Sequence, residues 1–393
     1  MRIILLIYFD VNILAPINFI NFEVVNFVPK RGKKDISESS GLFGILHSNR
    51  KANEHWGKNC FNSSFPTSMA CYMLAHDIPA IYNKLAVVNG EIAVVPSEIS
   101  MREVFRCDNM PLDDLSFHFE SRFEPYQTYS FDTIDGIDLV IMKHSNKLFL
   151  APLEIKLTVL PTSGTSNQNE KKWGCELVIR SATTSYCALG MFDSIKDNAA
   201  DVREIFESTC SGVESWTNDF EMSRKTHFLT KSVNSFQRSY LNKQKPLLVQ
   251  TIWKTKGQSP EVADNAFDIV VWSDYAFSRL FLDSSETEET TMSRPMRASA
   301  RLARCLWELS KSGKINLPLI YRQMAFGKQT DKEFAIGGAK WRKYVTSDRI
   351  TRPILNKDVV NEIIEPGYIE KLNPERRFDQ TLYFTSKQTA QPS

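Results

Sequence analysis

The sequence predicts an α/β protein in which a mixed central β-sheet is flanked by helices. Three observations carry that reading. Residues Phe131–Pro161 contain two β-type apolar runs, IDLVIM and LFLAPLEIKLTVL, joined by the short polar turn KHSNK, the pattern of a hairpin. CELVIR then reads as a strand, and SATTSYCALGMFDSI as a helix packing its Tyr186, Leu189 and Met191 side. Further on, KPLLVQTIWKT and AFDIVVWSD give two more strands, and YAFSRLFLD begins another helix. Strands alternating with helices after a hairpin argue a mixed sheet covered by helices.

With 393 residues, 42% hydrophobic and 24% charged, the chain belongs to the soluble globular class and is long enough for one large domain or two ordinary ones. Residues 1–40 differ in texture from the rest. Their Ile-, Phe- and Asn-rich start is broken by Asp10, Asn12 and Asn18, which argues against a signal peptide and a membrane span. They read as a dispensable extension, with an added strand or an interaction arm as the alternative. From Gly41 the texture changes, and Asn49, Arg50, Trp56, Lys58, Asn59 and Asn62 form a polar and aromatic loop before a helix entry at Ser63–Pro66, residue types that suit phosphate or base-edge contacts and equally suit turn capping. TSMACYMLAHD reads as a buried helix, and IAVVPSEI as a strand.

The central hairpin is interrupted by three ionisable residues, Asp138 in the first run and Glu154 and Lys156 in the second. Glu154 and Lys156 are two apart, so on a strand their side chains leave from one face. The hairpin turn can bring Asp138 beside them. Charges in an apolar strand are expensive unless paired. Two adjacent carboxylates also repel, which a divalent cation relieves; Mg²⁺ takes one or two carboxylates and leaves room for waters and a phosphate oxygen. A phosphodiester-hydrolysing metal site is one reading, and the solvated face of an edge strand is the other. Glu120, Glu124 and Asp135 are further acids within reach. Each has a plainer role, as a solvated side chain or, for Asp135, as a cap on the turn before Gly136.

Seven scattered cysteines without a Cys-x-x-Cys pair read as free thiols in a reducing cytoplasm. The acidic stretch DSSETEET, 283–290, reads as an exposed linker. Beyond it the charge reverses: between Thr291 and Leu355 stand fourteen Lys or Arg against four acids, an excess of ten. RASARLARCLWELSKS is a basic amphipathic helix, and GGAKWRKY interleaves Trp341 with Lys340, Arg342 and Lys343. A basic surface with aromatics is the footprint of nucleic-acid binding, against the plainer reading of a solvated basic helix. The chain contains no Walker A loop, no Gly-x-Ser-x-Gly elbow and no His-Glu-x-x-His. Carboxylate–metal chemistry on a sheet, beside a basic surface, remains.

IDGIDLVIM followed by APLEIK resembles the PD-(D/E)xK nuclease motif, with Asp138, Glu154 and Lys156 in its three places and Ile rather than Pro before the Asp. GLFGILHSNR, WGKNCFNSSFP, RFEPYQTYSFDTIDGIDLVI and LAPLEIKLTVLP together resemble the HindVP-type type II restriction endonucleases, over most of the chain from Gly41 onward. The resemblance implies a restriction-endonuclease-like core over 41–393. It also implies Mg²⁺ held by Asp138 and Glu154, with Lys156 orienting the attacking water. Double-stranded DNA cut at GRCGYC would be the substrate, a homodimer the reading unit, and a cognate methyltransferase the functional partner. In such a dimer, basic residues of the C-terminal third such as Arg342 are candidates for reading the outer guanine. The competing readings are a catalytically inactive sequence-specific DNA-binding protein and a phosphohydrolase acting on a small molecule.

Overall fold

A computed structural model describes residues 70, 73–74, 77–111, 114–159, 177–256, 259–261, 269–285, 294–327 and 332–336. In chain order these form β1 (Ala80–Val88), β2 (Glu91–Ile99), α1 (Met101–Phe105), β3 (Leu115–Ser121), β4 (Ile137–Lys143), β5 (Leu148–Val159) and β6 (Leu177–Arg180). Then follow α2 (Ser181–Ile195), α3 (Ala199–Cys210), α4 (Asp219–Ser239), β7 (Pro246–Lys256), β8 (Ser259–Glu261) and β9 (Ile269–Ser273). The last are α5 (Asp274–Ser285), α6 (Arg294–Ser312), α7 (Leu317–Gln323) and β10 (Lys332–Ile336).

The main sheet runs β2-β1-β9-β7-β5-β4-β3, with β8 paired to β7. It is mixed: β1–β9 and β5–β7 are parallel, and the other neighbours antiparallel. The expected α/β class and helix-flanked mixed sheet are therefore present. β6 pairs instead with β10 in a separate two-stranded sheet.

The predicted hairpin is β4–β5, closed by a turn in which Lys147 adopts a left-handed backbone with φ 55°. Asp114 holds that turn from outside, its carboxylate accepting from the Ser145 N–H at 2.7 Å and the Ser145 hydroxyl at 3.0 Å. Strand alternation then divides β4 between two cores. Leu139 and Ile141 face Phe117 and α1, where Phe105 meets Phe117 edge-on at 5.4 Å. Asp138 and Val140 face the helical layer begun by α2.

That layer explains a difference from the expected one-sided packing of α2. Tyr186, Leu189 and Met191 are buried as expected, but so are Thr183, Thr184, Ser185, Cys187, Ala188, Gly190 and Phe192. The helix lies inside the helical layer, in contact with α5 and α6, so it has little solvent face to show. Gly190 lets it approach α5 closely; a Cβ there would collide with the Asp274 carboxylate.

Two expectations about the later chain are corrected. The stretch expected as a linker from 283 begins inside a helix: α5 continues to Ser285, and Asp283 pairs with Arg279 one turn earlier at 2.8 Å. The basic helix expected on the surface is α6, which runs through the helical layer with Arg297, Arg301 and Arg304 buried. Arg301 donates through Nε to the Met324 carbonyl at 2.9 Å and lies over Tyr321 and Phe326, each at 5.1 Å. Arg304 lies over Trp216 at 4.5 Å. Their stems and flat cations serve as packing material, which a count of charges does not reveal. Among the described residues Cys107, Cys187, Cys210 and Cys305 are buried free thiols.

Candidate active site

The three ionisable residues of the hairpin meet where the sheet changes partners. β5 is paired with β4 from Leu148 to Leu153, and with β7 from Glu154 to Val159. The last β4–β5 rung is Leu139–Leu153, so Asp138 and Glu154 occupy the next position on each strand. There the ladder is continued by a side chain: Asp138 Oδ2 accepts the Ile155 N–H at 2.7 Å. The carboxylate of Asp138 is thereby fixed against the backbone between Glu154 and Lys156.

Glu154 is 7% exposed, and its charge at that depth requires partners. It has two, both on Oε1: the Lys156 ammonium, and the Thr183 hydroxyl of α2 at 2.7 Å. Thr183 is itself buried. Oε2 makes no hydrogen bond to any described residue. Burial works against the charge on Lys156, and Arg180 opposes it too, but the adjacent carboxylates of Glu154 and Asp138 outweigh both and hold its ammonium above the ordinary lysine value. The lysine is therefore a cation at neutral pH, placed between two acids.

The other predicted acids take different places. Glu124 is exposed at the start of a 3₁₀ turn, Glu124–Tyr129, and lines a groove beside Asp138. Glu120 lies on β3, and the rungs Phe119–Leu139 and Ser121–Ile137 put its backbone across from Asp138. Asp135 is exposed, and its carbonyl, not its carboxylate, accepts from Tyr186 Oη at 2.8 Å. Asn49, Arg50, Lys58, Asn59, Lys340, Arg342 and Lys343 lie outside the described residues. Thr183 was not singled out from sequence. Its only signal is a hydroxyl in the first turn of the helix after the strand pair, and that has no meaning until the helix is packed over Glu154.

Asp138 and Glu154 offer a hard, all-oxygen donor set. That chemistry suits a cation such as Mg²⁺, which needs few protein ligands, and not a thiolate- or imidazole-seeking metal. Among the described residues no group of three or more His, Cys, Asp or Glu side chains is arranged as a metal cage.

The family model of the HindVP restriction endonucleases matches residues 56–388, a span that holds the whole site. The chain belongs to the HindVP restriction endonuclease family. It is 32% identical over 349 residues to the type II restriction enzyme HgiDI of Herpetosiphon aurantiacus, covering 88% of this chain and 96% of that one. It is 32% identical over 365 residues to the probable type II restriction enzyme HindVP of Haemophilus influenzae, covering 92% and 98%. No solved structure matches the chain. By family this HindVP-type chain is a type II restriction endonuclease, with DNA as its substrate, in a class that generally uses a divalent metal ion. No helix among the described residues of the HindVP-type chain is long and apolar enough to cross a membrane.

Proposed function

We propose that the chain hydrolyses phosphodiester bonds of double-stranded DNA at GRCGYC with Mg²⁺, and that Asp138, Glu154 and Lys156 are its catalytic set. The observation that carries the reading is the joining of two carboxylates and a charged lysine at the fork between β4 and β5. Asp138 and the unbonded Oε2 of Glu154 are the groups that hold the cation. When bound, Mg²⁺ supplies positive charge at the scissile phosphate and acidifies a water. Thr183 keeps Glu154 turned toward the fork. Lys156 donates hydrogen bonds to the attacking water and to the non-bridging oxygens as negative charge grows on the pentavalent phosphorus. Water adds to phosphorus, the bond to the 3′ oxygen breaks, and a 5′ phosphate and a 3′ hydroxyl result.

The enzyme is a cytoplasmic homodimer in this reading, because a palindrome presents the same half-site to each of two symmetry-related subunits. A methyltransferase protecting the same site is its partner in a restriction–modification system. Asn49, Arg50, Lys58, Asn59, Lys340, Arg342 and Lys343 are the proposed DNA contacts. Residues 1–40 are dispensable.

Incubation of the purified protein with plasmid DNA tests the reading. Discrete fragments with Mg²⁺, and none with EDTA, are expected, and mapped ends should fall within GRCGYC. Lys156→Ala and Glu154→Ala should abolish cleavage while site-specific binding survives. Binding without cleavage by the unaltered enzyme would instead identify an inactive DNA-binding protein.

A further inference from the structure

Beside the catalytic fork lies a groove that the reaction as described leaves unused. It has a volume of about 390 Å³ and is lined in part by His118, Ser121, Arg122, Glu124, Gly136 and Val140. Gly136 and Val140 bracket Asp138 in sequence. Ser121 pairs with Ile137, and His118 with Val140. The groove therefore runs from beside Asp138 along the β3–β4 face toward Met142 and Phe149, a rung near the hairpin turn, and away from the Glu154–Lys156 end of β5. β3 is the last strand of the main sheet in this direction, so the groove reaches the sheet edge. Its size is at the low end for small-ligand sites, which admits a nucleotide unit of one strand but not a duplex.

Arg122 is the one Lys or Arg of this lining. It is exposed and makes no hydrogen bond or ion pair to any described residue. Glu124 shares the rim, so the groove is not a general basic patch, and anion attachment falls to a single guanidinium. A strand held with one phosphate at Asp138 must carry its neighbouring phosphates away through the space alongside, at about 3.4 Å of axial rise per nucleotide. A guanidinium matches phosphate oxygens in a fork geometry that a lysine does not reproduce.

We infer that the groove is the path of the scissile strand and that Arg122 is a positioning residue binding a phosphate next to the one that is cut. The inference rests on the nuclease reading of the same site. It assigns Arg122 to register: the strand is held so that the scissile phosphate, and not its neighbour, lies at Asp138 and Glu154.

The test uses the full chain carrying Lys156→Ala, which keeps DNA intact, with and without Arg122→Ala, and a duplex containing the target site. Arg122→Ala should weaken binding roughly tenfold, as for loss of a charged hydrogen-bonding partner. It should also lower the salt slope of log K by about one, the signature of one lost phosphate contact. Arg122→Lys should keep the slope and lose part of the affinity. A duplex with neutral methylphosphonates placed singly around the cut should reveal one position that weakens the parent and leaves the Arg122→Ala protein unaffected. Circular dichroism controls for folding, and an exposed side chain without partners should leave it unchanged. If Arg122→Ala binds with unchanged affinity and slope while the enzyme with Lys156 intact still cleaves, the groove assignment is wrong and the nuclease reading stands. If the Lys156→Ala protein does not bind the site and the enzyme with Lys156 intact does not cleave it, both fall.

Discussion

Thr183 donates its hydroxyl hydrogen to the same Glu154 oxygen that the Lys156 ammonium contacts, at 2.7 Å and out of reach of solvent. One oxygen of the carboxylate is thus held from α2 and from β5 together, and the other is left without a partner among the described residues. Thr183→Val keeps the shape and removes the donor. It should reduce metal affinity by about 10- to 100-fold, in the range for groups that orient a ligand. Thr183→Ser should restore it. Calorimetric titration with Mg²⁺ or Mn²⁺ reads this directly, and equal affinity for the Val and Thr proteins would remove Thr183 from the site.

Lys156 carries opposing influences, which a single substitution can separate. Burial pushes its ammonium down, and the carboxylates of Glu154 and Asp138 push it up and prevail. In Glu154→Gln the larger of those charges is gone, so Lys156 should titrate at lower pH than in the parent. Lysine-selective ¹³C NMR follows the transition. Because the folded value is raised, this group stabilises the fold below the ordinary lysine value of about 10.4, and that contribution fades as pH climbs through the folded value. An unchanged or higher titration in the Gln variant would contradict the assignment.

Asp274 opens α5 as a buried carboxyl with Oδ1 unpaired among the described residues. Burial, assisted by the charge of Asp193, raises it well above the carboxylate range, against the pull of Arg106 and Lys245. The folded state therefore binds a proton that the unfolded chain has lost, and stability declines as pH rises above the ordinary value of about 3.9. Asp274→Asn should raise Tm at pH 8, with a gain that shrinks toward pH 4. Parallel Tm-against-pH curves for the two proteins would show that the residue has no such role.

Arg301 ties α6 to the end of α7 through the Met324 carbonyl and two aromatic faces. Arg301→Ala should destabilise the protein by about 2–4 kcal/mol, from the lost charged hydrogen bonds and cation–π contacts. At a temperature where the variant is still folded, its DNA affinity should match the parent's. A large loss of affinity in a stable variant would return this helix to the DNA interface.

Much of the fold was legible because its central elements obey simple patterns. IDLVIM and LFLAPLEIKLTVL became β4 and β5, and SATTSYCALGMFDSI became α2 at the same boundaries. α4 was missed although its signals were present. Asn218 caps it by accepting from the Phe220 and Glu221 amides, and Met222, Leu229, Val233 and Phe236 follow at helical spacing. A largely polar sequence hid that narrow stripe. The strand order was not legible, since β9 inserts between β1 and β7 from far along the chain. In the site, Asp138, Glu154 and Lys156 could be read from charge within apolar strands. Thr183 could not, because its role depends on where α2 lies. The buried arginines of α6 show the converse: charge in a sequence signals water only until aromatic neighbours replace it.

The handover of β5 from β4 to β7 at Glu154 makes the proposed catalytic centre a seam between two parts of the main sheet. On one side stand β3 and β4, on the other β7, β9, β1 and β2, and β5 is the strand that stitches them. Any motion that swings β3–β4 away from the remainder must first part the Asp138 carboxylate from the Ile155 amide. That amide is therefore a built-in gauge of closure. Its hydrogen exchange reports whether the two parts of the sheet are drawn together.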